Sequence, residues 1–416
     1  MDAASVVMAL AVISGLYMAW NIGANDVANA MGTSVGSGAL RLRHAIVLAI
    51  VFECAGALLS GGMVTQTISQ GLVDLRAVGD DSLLLAAGMT CCLVSGAVWL
   101  HVASFMGWPV STTHCIVGAV VGAGACVGGP GALRGDAVLG VGLGWVLTPL
   151  ISAWLAYQLF QWLRRSILGH ADPIGRIRRA GPFLVGVLVG LVALAFLFRN
   201  DAPLAPDLGL WQAALGALCA AAVAALIARP FFARLTPAPG ATLADALRRT
   251  ERVFQGFQVL GACYLAFAHG SNDAANAIGP LAAVFHGLLE GPSEHIVAPV
   301  PVLLVGAVGI SIGLASYGYK VMATVGREIT ELTPSSGWTA VISAATVILL
   351  GSKLGLPVST THIMVGAVIG VGFGRSIGAI NMRVLRGILM SWLVTVPFTA
   401  TLAAALVAGA RALLGG

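Results

Sequence analysis

Charge is what this chain has least of. Only 9% of its 416 residues are Asp, Glu, Lys or Arg, against about a quarter in ordinary soluble domains, so a water-facing globular surface cannot be built from it. Cysteine is present without a pattern. Cys54, Cys91, Cys92, Cys115, Cys126, Cys219 and Cys263 sit within or at the ends of apolar runs. None has the spacing of a zinc or redox motif, so they read as small apolar side chains and carry no information about compartment. The first residues lack a basic segment and a small-residue cleavage site. The run over residues 6–20 therefore reads as a first membrane helix and not as a removed signal peptide. The net charge of +5 points to no nucleic-acid partner; it reflects where the membrane loops lie.

Apolar sequence is abundant. Hydrophobic residues make up 58% of the chain and its mean hydropathy is +0.93. Apolar stretches long enough to cross a hydrocarbon core of about 30 Å recur along its length, and 54 glycines suit helices that approach closely or break. The expected fold is all-α and polytopic, with roughly ten to twelve transmembrane segments among which Gly-rich and hydroxyl-rich stretches form re-entrant hairpins. Membrane lipid is its solvent.

The sequence is also duplicated. Residues 107–124, GWPVSTTHCIVGAVVGAG, match residues 355–372, GLPVSTTHIMVGAVIGVG, at 13 of 18 positions, and GANDVANAMG (23–32) matches GSNDAANAIG (270–279) at 7 of 10. Asp26 precedes Ser111 by 85 residues and Asp273 precedes Ser359 by 86. Three units follow: a first transmembrane repeat over 1–163, a central two-span region over 164–252, and a second repeat over 253–416. The central region holds two apolar runs, 182–198 and 208–228, flanked by basic stretches with ten of the 22 Lys and Arg residues. Two spans separate those stretches, so they share one face, which the positive-inside rule makes cytoplasmic. Repeated halves are the mark of secondary transporters. In many of these the halves insert with opposite topology around a midplane site that Gly- or Pro-interrupted segments betray.

Two constellations carry chemistry. Asp26 and Asp273 lie at membrane depth, where a carboxylate costs about 2.5–3.5 kcal/mol. That the penalty recurs in the same frame argues against accident. Asn25, Asp26 and Asn29, with Asn272, Asp273 and Asn276, are oxygen donors at helical spacing, a set suited to a hard cation such as Na⁺ or to a proton. Flanking glycines would let the helix unwind and offer carbonyls as well. In PVSTTH, proline interrupts the helix and Ser or Thr caps the next one. Ser111, Thr112 and Thr113 would gather hydroxyl and N–H donors at one helix N-terminus, and Ser359, Thr360 and Thr361 at another. Together they make an oxyanion site. One such run could merely bond back to its own helix; two matching runs, each paired with an Asn-Asp motif, point to a ligand. His114 and His362 close the motifs and read as structural hydrogen-bonders. Glu53, in VFECAG, is a third buried acid, open to a coupling or a packing role.

These motifs resemble those of the inorganic phosphate transporter (PiT) family over nearly the whole chain. GANDVANAMGTSVGSG, FAHGSNDAANAIGPLAA and both PVSTTH segments are similar to the family signatures, and the short central region is similar to the compact sodium-dependent members. The resemblance implies an inverted-repeat fold, commonly dimeric, without a cofactor. Phosphate would be held by the two Ser-Thr-Thr tips and Na⁺ by the Asn-Asp motifs. It also implies that Glu53 matters for transport; the related second-half stretch over 308–321 lacks an acid. The expected function is phosphate import by Na⁺ symport across the cell membrane, the inner membrane in a bacterium, by alternating access. Proton coupling and sulfate as cargo remain open. An intramembrane hydrolase using the aspartates or Ser111 is the rival of another class, but two equal copies suit a transport site and not an enzyme.

Overall fold

A computed structural model describes residues 2–60, 62–74, 81–197, 208–237, 240–290, 296, 298–316, 330–376 and 380–414. Thirteen long helices account for most of them: α1 (Ala3–Gly36), α2 (Leu42–Ser60), α3 (Ser82–Met106), α4 (Thr112–Gly128), α5 (Gly135–Leu163), α6 (Pro173–Leu197), α7 (Leu210–Ala233), α8 (Leu243–Asp273), α9 (Ala275–Leu289), α10 (Val300–Ser316), α11 (Pro334–Lys353), α12 (Thr360–Arg375) and α13 (Met382–Leu414). Among the described residues the one β feature is an isolated bridge between Val73 and Leu133. Eight helices are long and apolar enough to cross a membrane, and α4 and α10 are shorter apolar helices. Of the stretch over 308–321, residues 317–321 lie outside the described residues.

Helix ends follow local chemistry. The Asp2 carboxylate accepts from Ser5 N at 3.0 Å and starts α1. Thr242 and Asp245 form a reciprocal capping box at the head of α8. The Thr242 hydroxyl, helped by Arg248, holds the Asp245 carboxyl down at about 2.

Packing follows the sequence duplication. Helix α1 lies against α10 and α3, and α8 correspondingly against α2 and α11; α4 packs on α13, and α12 on α5. Glycines set these crossings. A Cβ on Gly122 would overlap the Ala400 carbonyl, and one on Gly370 would overlap the Ala153 carbonyl. Lipid offers no hydrophobic drive between helices, so such close backbone approach supplies the contact energy. The inner helices are accordingly buried. In α11, 89% of the apolar window is covered by protein, whereas in α7 only 11% is.

One expectation fails. The glycines around the Asn-Asp motifs do not unwind their helices: α1 runs unbroken through residues 25–29, and α8 and α9 are separated only by Ala274, itself in helical geometry. Gly23 and Gly270 instead serve close packing, since their Cβ atoms would strike the backbone carbonyls of Ile310 and Glu53. The true breaks are the PVS segments before α4 and α12, where proline blocks helix continuation.

Candidate functional site

The first break is capped as its composition dictates. Ser111, in extended geometry, is the N-cap of α4 and accepts from His114 N at 3.1 Å. Ser359 does the same for α12, accepting from His362 N at 3.2 Å. Both N-termini are wholly buried, and they face each other. The Thr113 hydroxyl donates to Val358 O at 3.1 Å, and the Thr361 hydroxyl to Val110 O at 3.1 Å. Each hydroxyl triplet is thereby stitched to the backbone leading into the other.

The Asn-Asp motifs meet these tips directly. Asn29 Nδ2 donates to Thr361 Oγ1 at 2.8 Å and to Asp26 Oδ1 at 2.9 Å. Asn276 Nδ2 lies 3.3 Å from both Thr112 Oγ1 and Thr113 Oγ1. The Asp273 carboxylate accepts from the Thr360 hydroxyl at 2.5 Å and from the Thr113 hydroxyl at 3.3 Å. Each helical motif of one half thus touches the tip of the other half. The outer asparagines act as props: Asn25 Nδ2 donates to Ser104 Oγ at 3.0 Å, and the Asn272 amide meets Ser352 Oγ at the same distance.

All twelve residues singled out at the two motifs are therefore brought into one buried cluster, none more than 3% exposed. Glu53 reaches its edge through a residue that sequence reasoning passed over. His269 is fully buried, with Nε2 2.8 Å from Asp273 Oδ2 and 3.6 Å from Asp26 Oδ2, and with Nδ1 3.2 Å from Glu53 Oε2. Its signal was in the text: a lone histidine in an apolar run, four residues before Asp273 and hence on the same helix face. In the first repeat the corresponding position is Ile22. Glu53 is asymmetric in the same way, because Gly270 abuts its carbonyl where Gly23 abuts that of Ile310. One half holds an acid–imidazole pair where the other holds two isoleucines.

His114 is not the hydrogen-bonder expected of it, whereas His362 has a backbone partner at Trp145. Their rings touch edge to face, centroids 4.2 Å apart, and each lies on a tryptophan, Trp145 at 3.7 Å and Trp392 at 3.5 Å. Neither ring nitrogen of His114 finds a partner among the described residues. They pack the two halves together by stacking.

The electrostatics are one-sided. Asp26, Glu53 and Asp273 are three fully buried acids with a single imidazole among them. With all three ionised, even a protonated His269 would leave two negative charges uncompensated, and buried charge persists only when paired. Several oxygens also accept nothing among the described residues: Asn25 Oδ1, Asp26 Oδ2, Asn29 Oδ1 and Asn276 Oδ1. Buried acceptors without donors, next to excess negative charge, are what oxygen ligands to a hard cation look like before the cation is considered. Next to them, two helix N-termini carry hydroxyls and N–H groups of the kind suited to an anion.

A polytopic helical protein with a buried, charged, oxygen-lined centre assembled from duplicated segments belongs to the class of membrane transporters. More particularly, residues 22–403 match the model of the phosphate transporter family, and the chain belongs to that family. A chain from Arabidopsis thaliana, inorganic phosphate transporter 2-1, chloroplastic, is 43% identical over 411 residues, which cover 94% of this chain and 70% of that one. A relative from Pyrococcus furiosus is 41% identical over 417 residues, 99% of this chain and 98% of its own. Among solved structures, one described as the sodium-dependent phosphate transporter superposes with a TM-score of 0.91 at 35% identity, over 98% of this chain and all of that one. Family membership sets the hydrolase reading aside.

Proposed function

We propose that this protein imports inorganic phosphate across the cell membrane by symport with Na⁺. The observation that carries the proposal is the set of donor-less buried oxygens on Asn25, Asp26, Asn29 and Asn276 next to two opposed, hydroxyl-capped helix N-termini. The tips would take the phosphate, using Ser111, Thr112, Thr113, Ser359, Thr360 and Thr361. The Asn-Asp motifs, with Asn272 and Asp273 on the second half, would take the sodium ions, and Glu53 would act on them through His269.

Charge balance supports coupling. Two cations neutralise the excess of two negative charges that three acids and a protonated imidazole leave. Without them an arriving phosphate would meet carboxylates within hydrogen-bond reach of its own binding hydroxyls. Moving a divalent anion inward against 100 mV would by itself cost about 4.6 kcal/mol, at roughly 2.3 kcal/mol per charge; two accompanying Na⁺ remove that cost. Alternating access would come from two repeats of opposite orientation, 1–163 and 253–416, rocking about the shared tips with the two-span region between them. The exchange of partners between halves, α1 on α10 and α8 on α2, fits such a symmetry.

The test is uptake of labelled phosphate into proteoliposomes. Uptake that requires an inward Na⁺ gradient and survives excess unlabelled sulfate supports the proposal. Uptake driven by a proton gradient alone would replace the coupling ion, and loss to sulfate would replace the cargo.

A further inference from the structure

The basic end of α5 is not used by the transport centre. After Leu163 the helix widens into one π-helical turn, Arg164–Leu168, before the chain enters α6. Arg164 is spent on structure, donating to Gly374 O at 3.0 Å, with Gln161 Nε2 on the same carbonyl at 3.3 Å. Arg165 is exposed and has no partner among the described residues. It lines a cavity of about 350 Å³ with Tyr157, Gln158, Gln161, Trp162 and Ser166. The nearby acid, Asp172, is occupied in capping Gly175 N at 2.8 Å.

A second cavity, about 150 Å³, opens on the other side of Trp162. Its walls are apolar, drawn from three helices: Leu159 on α5, Phe183, Val187 and Leu188 on α6, and Trp338 on α11. Trp338 is 2% exposed and lends the crevice only apolar surface. It sits in the second turn of α11, whose first turn is tied to Glu251 by Ser335 N at 2.9 Å. That places Trp338 at the same basic membrane face as Arg165. The two cavities share Trp162 as a wall, so a cationic, amide-rich mouth lies next to an apolar crevice between helices.

We propose that this feature is a binding site for an anionic glycerophospholipid. Its phosphate pairs with Arg165 in the polar mouth. An acyl chain fills the crevice against Leu159, Phe183 and Val187. Charge selects the class of lipid. The stretch from Arg164 to Arg179 contributes five arginines and one aspartate to this face, which attracts a net anionic headgroup and not a zwitterionic one. Depth and shape select a lipid over a free anion, because a small phosphate would leave the apolar crevice unfilled.

Native mass spectrometry tests the site directly, using purified protein exchanged into detergent with equal phosphatidylglycerol and phosphatidylcholine of matched chains. Phosphatidylglycerol should be retained about fivefold over phosphatidylcholine, the factor expected per basic residue at an anionic surface. Arg165→Gln should abolish that preference, and Arg411→Gln, an equal charge loss far along the chain, should keep it. Val187→Trp fills the crevice from its half-exposed rim and should lower retention of both lipids. Equal retention of the two lipids by the native chain would overturn the proposal, as would equal effects of Arg165→Gln and Arg411→Gln. Inorganic phosphate alone matching phosphatidylglycerol in protecting the site would reduce it to a simple anion site and overturn the lipid assignment. No transport is measured, so the outcome is independent of the symport reading.

Discussion

Replacing Asp26 by Asn separates the cation site from the anion site, because the two aspartates are not equally supported. Asp273 is held by Thr360, Thr113 and Asn276 and lies 2.8 Å from His269. Asp26 accepts from Asn29 and has the Thr112 hydroxyl beside it, and His269 is 3.6 Å away. Its charge therefore depends most on an external cation. Two unit charges 4 Å apart at an effective dielectric of 20 attract by about 4 kcal/mol. Allowing for the oxygen that the amide retains, Asp26→Asn should weaken Na⁺ binding by about 3 kcal/mol, roughly a hundredfold at 1.4 kcal/mol per decade. The assay is the Na⁺ concentration giving half-maximal phosphate uptake in proteoliposomes, at saturating phosphate, with thermal melting in detergent as the check on folding. The phosphate KM at saturating Na⁺ should move less than the Na⁺ requirement, since Thr112 is the one tip hydroxyl acting on Asp26 among the described residues, whereas Thr113 and Thr360 both donate to Asp273. A half-saturating Na⁺ concentration within about threefold of the native value, or a parallel loss of phosphate affinity, would refute the assignment.

Other consequences follow from the same geometry. Thr361→Val removes the acceptor of Asn29 and the donor to Val110 O; leaving those groups unpaired costs about 1–3 kcal/mol, and the phosphate KM should rise between roughly fivefold and a hundredfold. Asp273→Asn, unlike Asp26→Asn, should raise the phosphate KM as well as the Na⁺ requirement, measured in the same uptake assay. His269→Gln deletes the single positive group among three buried acids, so Na⁺ should bind more tightly and turnover should fall; a weaker Na⁺ dependence would contradict the charge count. Gly122→Val forces a side chain into the Ala400 carbonyl and should lower the melting temperature by the equivalent of about 1–3 kcal/mol. Gly131→Val, with nothing within 4 Å, should leave it unchanged.

Much of this architecture was legible in the sequence because membrane physics leaves few options. The spans follow from hydropathy, and the breaks before α4 and α12 follow from proline and serine chemistry, which acts locally. That the Asn-Asp helices would touch the tips of the opposite half was not legible, since periodicity places residues on a face without naming the neighbour. Gly23 and Gly270 were misread as sites of unwinding for a related reason. Glycine serves both strain and close approach, and only the facing backbone of Ile310 or Glu53 decides between them. His269 was missed because the search followed the duplication, and the residue that breaks the symmetry is invisible to it. The edge-to-face contact of His114 with His362 joins residues 248 positions apart and has no local signature.

The central claim is that cations at the Asn-Asp motifs permit anion binding at the tips, and equilibrium linkage tests it most directly. Phosphate should be titrated into detergent-purified protein by calorimetry in sodium chloride and in choline chloride, and Na⁺ titrated with and without phosphate. The account predicts phosphate binding only with Na⁺ present, and Na⁺ affinity raised by phosphate by the same factor, as reciprocity requires. Phosphate binding of equal affinity in choline chloride would contradict it.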